Sequence, residues 1–144
     1  MQIDTLTQFS NKQVATASGA SSLAVDLGIA RNIGVGSQNL YLVICLVASA
    51  GTTSAITAAL RTSATGSTAA LTGSINTLIT DSAFAAGAAA GTIHVIPLPV
   101  IAAYLRYIDV YFTWGSGSDS KTFTAFIATD ADLQTFYPVG YTVA

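Results

Sequence analysis

The fold is decided by the stretch YLRYIDVYFTWGSGSDSKTFTAFIAT, which runs from Tyr104 to Thr129. Its first arm alternates with a period of two, the pattern of a β-strand with one apolar and one half-polar face. The apolar face holds Ile108, Val110, Phe112 and Trp114, and the opposite face holds Tyr107, Asp109 and Tyr111. The glycines of GSGSDS suit a tight chain reversal. The stretch therefore predicts two antiparallel strands joined as a hairpin.

Neither face of the second arm of this stretch is strongly polar. Phe123, Ala125 and Ile127 share one face, and Phe126 lies among the threonines of the other. A strand without a strongly polar face is typical of a sheet that is covered on both sides. We therefore expect both faces of this strand to be buried.

Similar short patterns recur along the rest of the chain, separated by segments rich in Gly, Ser and Thr. No window combines apolar residues at helical spacing with charges on the opposite face. The predicted strands are residues 12–17, 22–27, 40–48, 55–62, 73–80, 92–98, 104–114 and 121–129. Eight short strands favour an all-β fold, either a closed barrel or a sandwich, and 144 residues are enough for one core. We expect a single domain over residues 1–144.

The composition is poor in charge and rich in small side chains. Charged residues make up 8 % of the chain, against about 25 % in a typical soluble domain. Ala, Ser and Thr fill 58 of the 144 positions. A surface of such residues loses little side-chain entropy and little ion hydration when another protein covers it. The composition favours a protein that functions within an assembly.

Charge and hydropathy also exclude some partners. A net charge of −2 lacks the basic footprint that nucleic-acid backbones require. The long uncharged runs are interrupted by Gly, Pro or polar residues before they reach the roughly 20 apolar residues of a membrane-spanning helix. The start MQIDTLTQFSNKQ has neither a basic region nor an apolar core of a secretory signal. We expect a protein that is made in a cytoplasm and binds neither nucleic acid nor membrane.

No motif nominates a catalytic, cofactor or metal site. The glycines of DLGIARNIGVG, residues 26–36, match neither the dinucleotide nor the P-loop spacing, and a strand follows them in place of a helix. His94 is the single histidine, in a strand, and Cys45 is the single cysteine, in an apolar run where a thiol is inert. Asp130 and Asp132 resemble a solvated turn or a helix N-cap more than a calcium site.

Two alternative functions are open at this point. Tyr104, Tyr107 and Tyr111 lie at strand spacing, and aromatic rings on one face can stack on sugars, although such rings more often belong to a core or an interface. A glycosidase needs two carboxylates at a defined separation, and the spacing of the seven Asp residues nominates no pair. A carbohydrate-binding module is therefore the better alternative of the two.

Several segments, in order along the chain, resemble the capsid cement proteins of tailed bacteriophages, in particular those of the Bordetella-phage type. These segments are IDTLTQFS, DLGIARNIGVG with LYLV, YLRYIDV, FTAFIATD and FYPVGYTV. The resemblance implies a small jelly roll without enzymatic activity or cofactor. It also implies a virion protein on the outer surface of an icosahedral head, where it bridges neighbouring copies of the major capsid protein. Self-association as a homodimer is favoured, and a trimer is the alternative.

The resemblance also suggests a role for the chain ends, which extend from the jelly roll and are rich in apolar residues. We expect these segments to be ordered by packing on a neighbour. Arg31, in the loop before the third predicted strand, is either an exposed charge or a donor to a carboxylate across an interface. The predicted residues of the capsid or subunit interface are Ile3, Leu6, Phe9, Arg31, Phe136, Tyr137 and Tyr141.

Overall fold

The structure is a computed structural model that describes residues 5–30, 39–100, 104–115, 117 and 119–129. A short 3₁₀ turn, Thr5–Thr7, precedes nine strands. The strands are β1 (Gln8–Ala15), β2 (Gly19–Ala20), β3 (Val25–Asp26), β4 (Leu40–Ala50), β5 (Ile56–Gly66), β6 (Leu71–Phe84), β7 (Ile93–Pro97), β8 (Tyr107–Trp114) and β9 (Ser120–Thr129). Each predicted strand overlaps at least one of them, and the prediction of an all-β protein is confirmed.

The strands form two antiparallel sheets that pack as a β-sandwich. Sheet I has the order β1-β9-β4-β7, and sheet II has the order β2-β8-β5-β6 with β3 also paired to β8. When β2 and β3 are counted as one interrupted strand, the chain changes sheet at every connection except the one from β5 to β6. This connectivity, eight strands in two four-stranded sheets, is that of a jelly roll.

The predicted hairpin between the two arms of residues 104–129 is wrong. Strand β8 pairs with β2, β3 and β5 in sheet II, whereas β9 pairs with β1 and β4 in sheet I. The connection between them therefore crosses from one sheet to the other. Alternation along a strand shows which side chains face the core, but it does not show which strand is the neighbour, and glycines serve a crossover as well as a reversal.

The core lies between the sheets and is centred on Phe123 of β9. The ring of Phe123 stacks on Phe112 of β8 at a centroid distance of 4.8 Å and on Phe84 of β6 at 5.8 Å. Trp114 of β8 meets the same ring edge-on at 5.7 Å. One side chain of sheet I therefore contacts three aromatic side chains of sheet II, which fixes how the sheets lie on each other.

Both sheets are also buried on part of their outer faces. On sheet I, Val43, Phe126 and Ala128 form a second buried cluster on the side away from Phe123. On sheet II, Tyr107 and Asp109 are buried on the side opposite Ile108. The expectation that both faces of β9 are buried is confirmed, since Phe123 and Phe126 are both buried.

Asp119 fastens the crossover before β9 to the turn between β4 and β5. Its carboxylate accepts hydrogen bonds from the backbone N–H groups of Thr53 and Ser54 at 2.7 Å and from the Thr53 hydroxyl at 2.8 Å. Gly51 has a positive φ of 94°, and a Cβ there would overlap this carboxylate. A Cβ on Gly117, at a φ of 145°, would overlap the hydroxyls of Thr53 and Ser54. Glycine is therefore required on both sides of the contact.

This contact makes part of the stability dependent on pH. The hydrogen bond from the Ser54 N–H, with those from Thr53, holds the pKa of Asp119 below its ordinary value of 3.8. A carboxyl with a lowered pKa in the folded state stabilises the fold above its unfolded-state pKa, and that contribution is lost as the pH falls through the folded-state value.

We predict that Asp119→Asn lowers the free energy of unfolding at neutral pH, because an amide offers one acceptor oxygen in place of two. The difference from the wild type should shrink as the pH falls from about 5 to about 2 in urea titrations. Asp26, whose pKa is also lowered, is present in both proteins and cancels in the comparison. A difference that stays constant with pH would contradict this role for the Asp119 carboxylate.

Candidate functional site

The structure describes two of the predicted interface residues, and they lie in different surroundings. Leu6 is 77 % exposed, as a contact residue must be before its partner binds. Phe9 is fully buried in the main core cluster. Its side chain stabilises the sandwich and offers no surface to a partner, which corrects the expectation for this residue. The physical reason is that Phe9 is on β1, which pairs with β9 directly over the core. Ile3, Arg31, Phe136, Tyr137 and Tyr141 lie outside the described residues.

Leu6 borders a pocket of about 190 Å³ at one end of the sandwich. The pocket is lined by Leu6, Gln8, Leu23, Ala24, Asp26 and Thr68. Leu23, like Leu6, is exposed, so the mouth of the pocket has an apolar rim. Such a rim beside a small recess suits an apolar side chain of another protein better than a charged ligand.

The outer face of sheet II carries a buried ion pair that sequence analysis missed. Arg61 of β5 lies opposite Asp109 of β8 and binds it through two hydrogen bonds, Nε to Oδ1 at 2.9 Å and Nη2 to Oδ2 at 2.6 Å. The guanidinium also covers the ring of Tyr111 at 4.3 Å from its centroid. The Asp109 side chain is 1 % exposed, so its charge depends on this one partner for compensation.

A second arginine–aspartate pair that covers a tyrosine ring lies beside the pocket. Arg106 binds Asp26 of β3 through two hydrogen bonds, at 3.0 and 2.9 Å, and lies over the ring of Tyr107 at 4.9 Å. The hydrogen bond from Arg106, with another from the Gly28 N–H, lowers the pKa of Asp26. The same contact raises the pKa of Arg106. Both members of this pair are partly exposed, so solvent screens the interaction.

Other charged groups in the described residues are also engaged within the chain. His94 of β7 lies 3.2 Å from the carboxylate of Asp81 of β6, which links the two sheets along one side. Lys121 is buried and donates to the Ser49 hydroxyl at 3.0 Å. With the Arg61, Arg106 and Asp119 contacts, most of the described charges have a partner inside the protein. Few are left to recognise another molecule.

The tyrosines considered for sugar stacking do not form one exposed platform. Tyr104 is buried in the core cluster, its hydroxyl donates to the Pro99 carbonyl at 2.9 Å, and burial raises its pKa to about 12. Tyr107 is buried beneath Arg106, and Tyr111 is half-buried beneath Arg61. The period of two placed Tyr107 and Tyr111 on one face correctly, but it carried no information on the arginines that cover them.

The residues considered for catalysis or metal binding are separated in the structure. Within the described ranges, no group of three His, Cys, Asp or Glu side chains is placed to hold a metal ion. Cys45 is half-buried, and burial raises the pKa of its thiol. Asp130, Asp132 and residues 31–38 of the glycine loop lie outside the described residues. Among the described residues, no helix has the length and apolar character to cross a bilayer.

The described residues form a jelly-roll β-sandwich in which most charged side chains are paired within the chain. The model of one protein family, Bbp16, matches residues 9–127, which run from β1 into β9. The chain belongs to the Bbp16 family, whose name points to a Bordetella phage protein. No curated protein matches the chain.

Substitution of Arg61 and of Arg106 should lower the free energy of unfolding by different amounts, because their ion pairs with aspartate differ in burial. Arg61→Ala leaves the Asp109 carboxylate buried without its partner, and we expect it to lower the free energy of unfolding by about 3–5 kcal/mol. Arg106→Ala removes the partly exposed pair with Asp26 and should lower the free energy of unfolding by about 1 kcal/mol or less. Urea denaturation of both variants checks this. Equal losses would show that Arg61 does not compensate a buried charge.

Proposed function

We propose that this protein is a capsid cement, or decoration, protein of a tailed phage. It binds the outer surface of the icosahedral head and bridges neighbouring copies of the major capsid protein, which stabilises the shell. Membership of the Bbp16 family supports a phage origin, and the resemblance of the chain to cement proteins supports the more specific role. The proposal includes no enzymatic activity and no cofactor. It includes self-association, as a homodimer in preference to a trimer.

The observation that carries the proposal is the neutral exterior of the described sandwich. The charges are largely paired inside the chain, whereas several aliphatic side chains are exposed. These are Leu6, Val14, Leu23, Ile29, Val47, Ile75, Ile93, Val95 and Val100. Small and aliphatic side chains can be covered at little cost in ion hydration or side-chain entropy. Such a surface favours permanent contact with other proteins over recognition of a charged ligand.

The proposed mechanism is mechanical. A ligand that binds only the assembled shell stabilises it by RT ln(1 + [L]/Kd), which is about 2.7 kcal/mol per site at a hundredfold excess over Kd. When the protein contacts two capsid subunits, separating them requires breaking its contacts as well. A dimer adds effective concentration, because the docking of one half holds the other near its site. Because the shell has many such sites, the summed stabilising free energy is large.

The contact residues we propose are those predicted from the sequence, except Phe9. Of these residues, the structure describes Leu6, which lies at the apolar rim of the pocket. Ile3, Arg31, Phe136, Tyr137 and Tyr141 stay predictions.

We predict that the purified protein sediments with heads assembled without it and raises the temperature at which those heads open. Because few free charges of the described residues face the solvent, Kd should change by less than about threefold between about 50 and 500 mM NaCl. Sedimentation at each salt concentration, with the purified protein alone as the control, measures both results.

A variant pair tests whether Leu6 belongs to the contact. Leu6→Asp should weaken binding to heads, whereas Val14→Asp, the same kind of change at an exposed position on β1, should not. Absence of binding to heads at every salt concentration would contradict the cement role. Binding that disappears at high salt would contradict the neutral contact.

A further inference from the structure

The two sheets expose four edges, and three of them are protected against pairing with another strand. Strands β2 and β3 have two residues each. Strand β7 has five residues and ends in Pro97, which has no N–H to donate. Strand β1 carries a bulge with Lys12 at a positive φ of 49°. Short length, proline, bulges and lysine are the devices that keep sheet edges from associating.

The fourth edge, β6, differs from the others in length. It has 14 residues and contains no proline, and Asp81 is its single charged residue. Residues 72–77 are exposed, and Ile75 is 40 % exposed. A long, exposed edge strand whose single charge lies near its C-terminal end presents N–H and C=O groups along its outer side to any strand that fits beside it.

The pairing of β6 with β5 shows where a further strand can be added. Register shifts leave extra β6 residues unpaired near Gly73, at Leu78 and near Ala83. Bulges bend a strand and interrupt its ladder. Between the first two, Ile75, Asn76 and Thr77 pair regularly with β5. Two short regular stretches remain: residues 79–82, which contain Asp81, and residues 75–77, which are exposed and have Asn76 at their centre.

We propose that two copies of this protein pair through β6, antiparallel about a twofold axis at Asn76. Asn76 then lies opposite Asn76 of the second copy, and Ile75 lies opposite Thr77. The two copies of sheet II become one continuous sheet. This inference deepens the proposed function, because it names the contact between the copies of the proposed homodimer.

Charge favours this occupant and this orientation. An antiparallel pair of the same strand is self-complementary, so one sequence supplies both halves of the contact. With the axis at Asn76, Asp81 lies opposite Leu71 of the second copy, and the two Asp81 residues are about 34 Å apart along the strands. A parallel arrangement in register would place the two carboxylates side by side, which is unfavourable.

The test places charges of the same sign, and then of opposite sign, at residue 76 of the two copies. A general effect on folding would weaken the dimer in both cases, whereas opposite charges should restore it. Asn76 is exposed, so its substitution should leave the urea midpoint unchanged at protein concentrations where wild type and variants are all monomeric. In the full-length protein, Asn76→Lys and Asn76→Asp each place like charges opposite one another. Each should raise the dimer dissociation constant about fivefold at low ionic strength. An equimolar mixture of the two variants should form a heterodimer at least as tight as the wild-type dimer. Asn11→Lys, the same change on exposed β1, is the matched control and should have no effect.

Sedimentation equilibrium measures the association, and amide exchange at residues 74–78 should slow as the protein concentration rises. A wild-type protein that stays monomeric up to millimolar concentration would overturn the inference. So would a dimer that neither the variants nor their mixture changes. If the protein is monomeric and Asn76→Lys abolishes binding to heads, the β6 edge receives a capsid segment and not a second copy. Dimerisation is measured without heads, and the cement role is measured by binding to heads. A result against the β6 dimer is therefore distinguishable from a result against the cement role.

Discussion

The contact on which the structure depends is the packing of Phe123 against three aromatic side chains of the opposite sheet. Phe84 and Phe112 stack on it, and Trp114 meets it edge-on. In a jelly roll, successive strands mostly lie in different sheets, so local hydrogen bonds do not hold the two sheets together. Side chains between the sheets must do so. The Asp119 contact then fixes the crossover that brings Phe123 of β9 into position.

The described exterior follows from how this chain uses its few charges. Arg61 and Arg106 each lie over a tyrosine and bind an aspartate, and His94 lies against Asp81. Except for Arg106, which directly precedes β8, these side chains lie on β-strands, where neighbouring positions are fixed by register. Charges compensated in this way stabilise the monomer and are not available to a partner. Small polar and aliphatic side chains are left for association, which is the physical basis of the proposed cement role.

The sequence predicted the described strands other than β2, and their faces, but not their neighbours. Alternation placed Phe112 on the core face correctly, because side-chain direction is a local property. For β9 it separated Phe123 from Phe126 but did not show which of them faces the other sheet. The hairpin between β8 and β9 was wrong, since partner choice depends on the whole sandwich. The pair of Arg61 and Asp109 was missed for the same reason. These residues are 48 positions apart, and they meet only in the β5–β8 register. Phe9 was assigned to an interface because its segment is apolar, a property that core residues share.

A density map of heads assembled with this protein would show whether it acts as a cement protein. We expect a jelly roll on the outer surface, at a boundary between capsid subunits and in contact with at least two of them. Its outward side chains should meet the capsid through neutral contacts. A head whose outer surface lacks the protein, or a protein that contacts a single capsid subunit, would contradict the account.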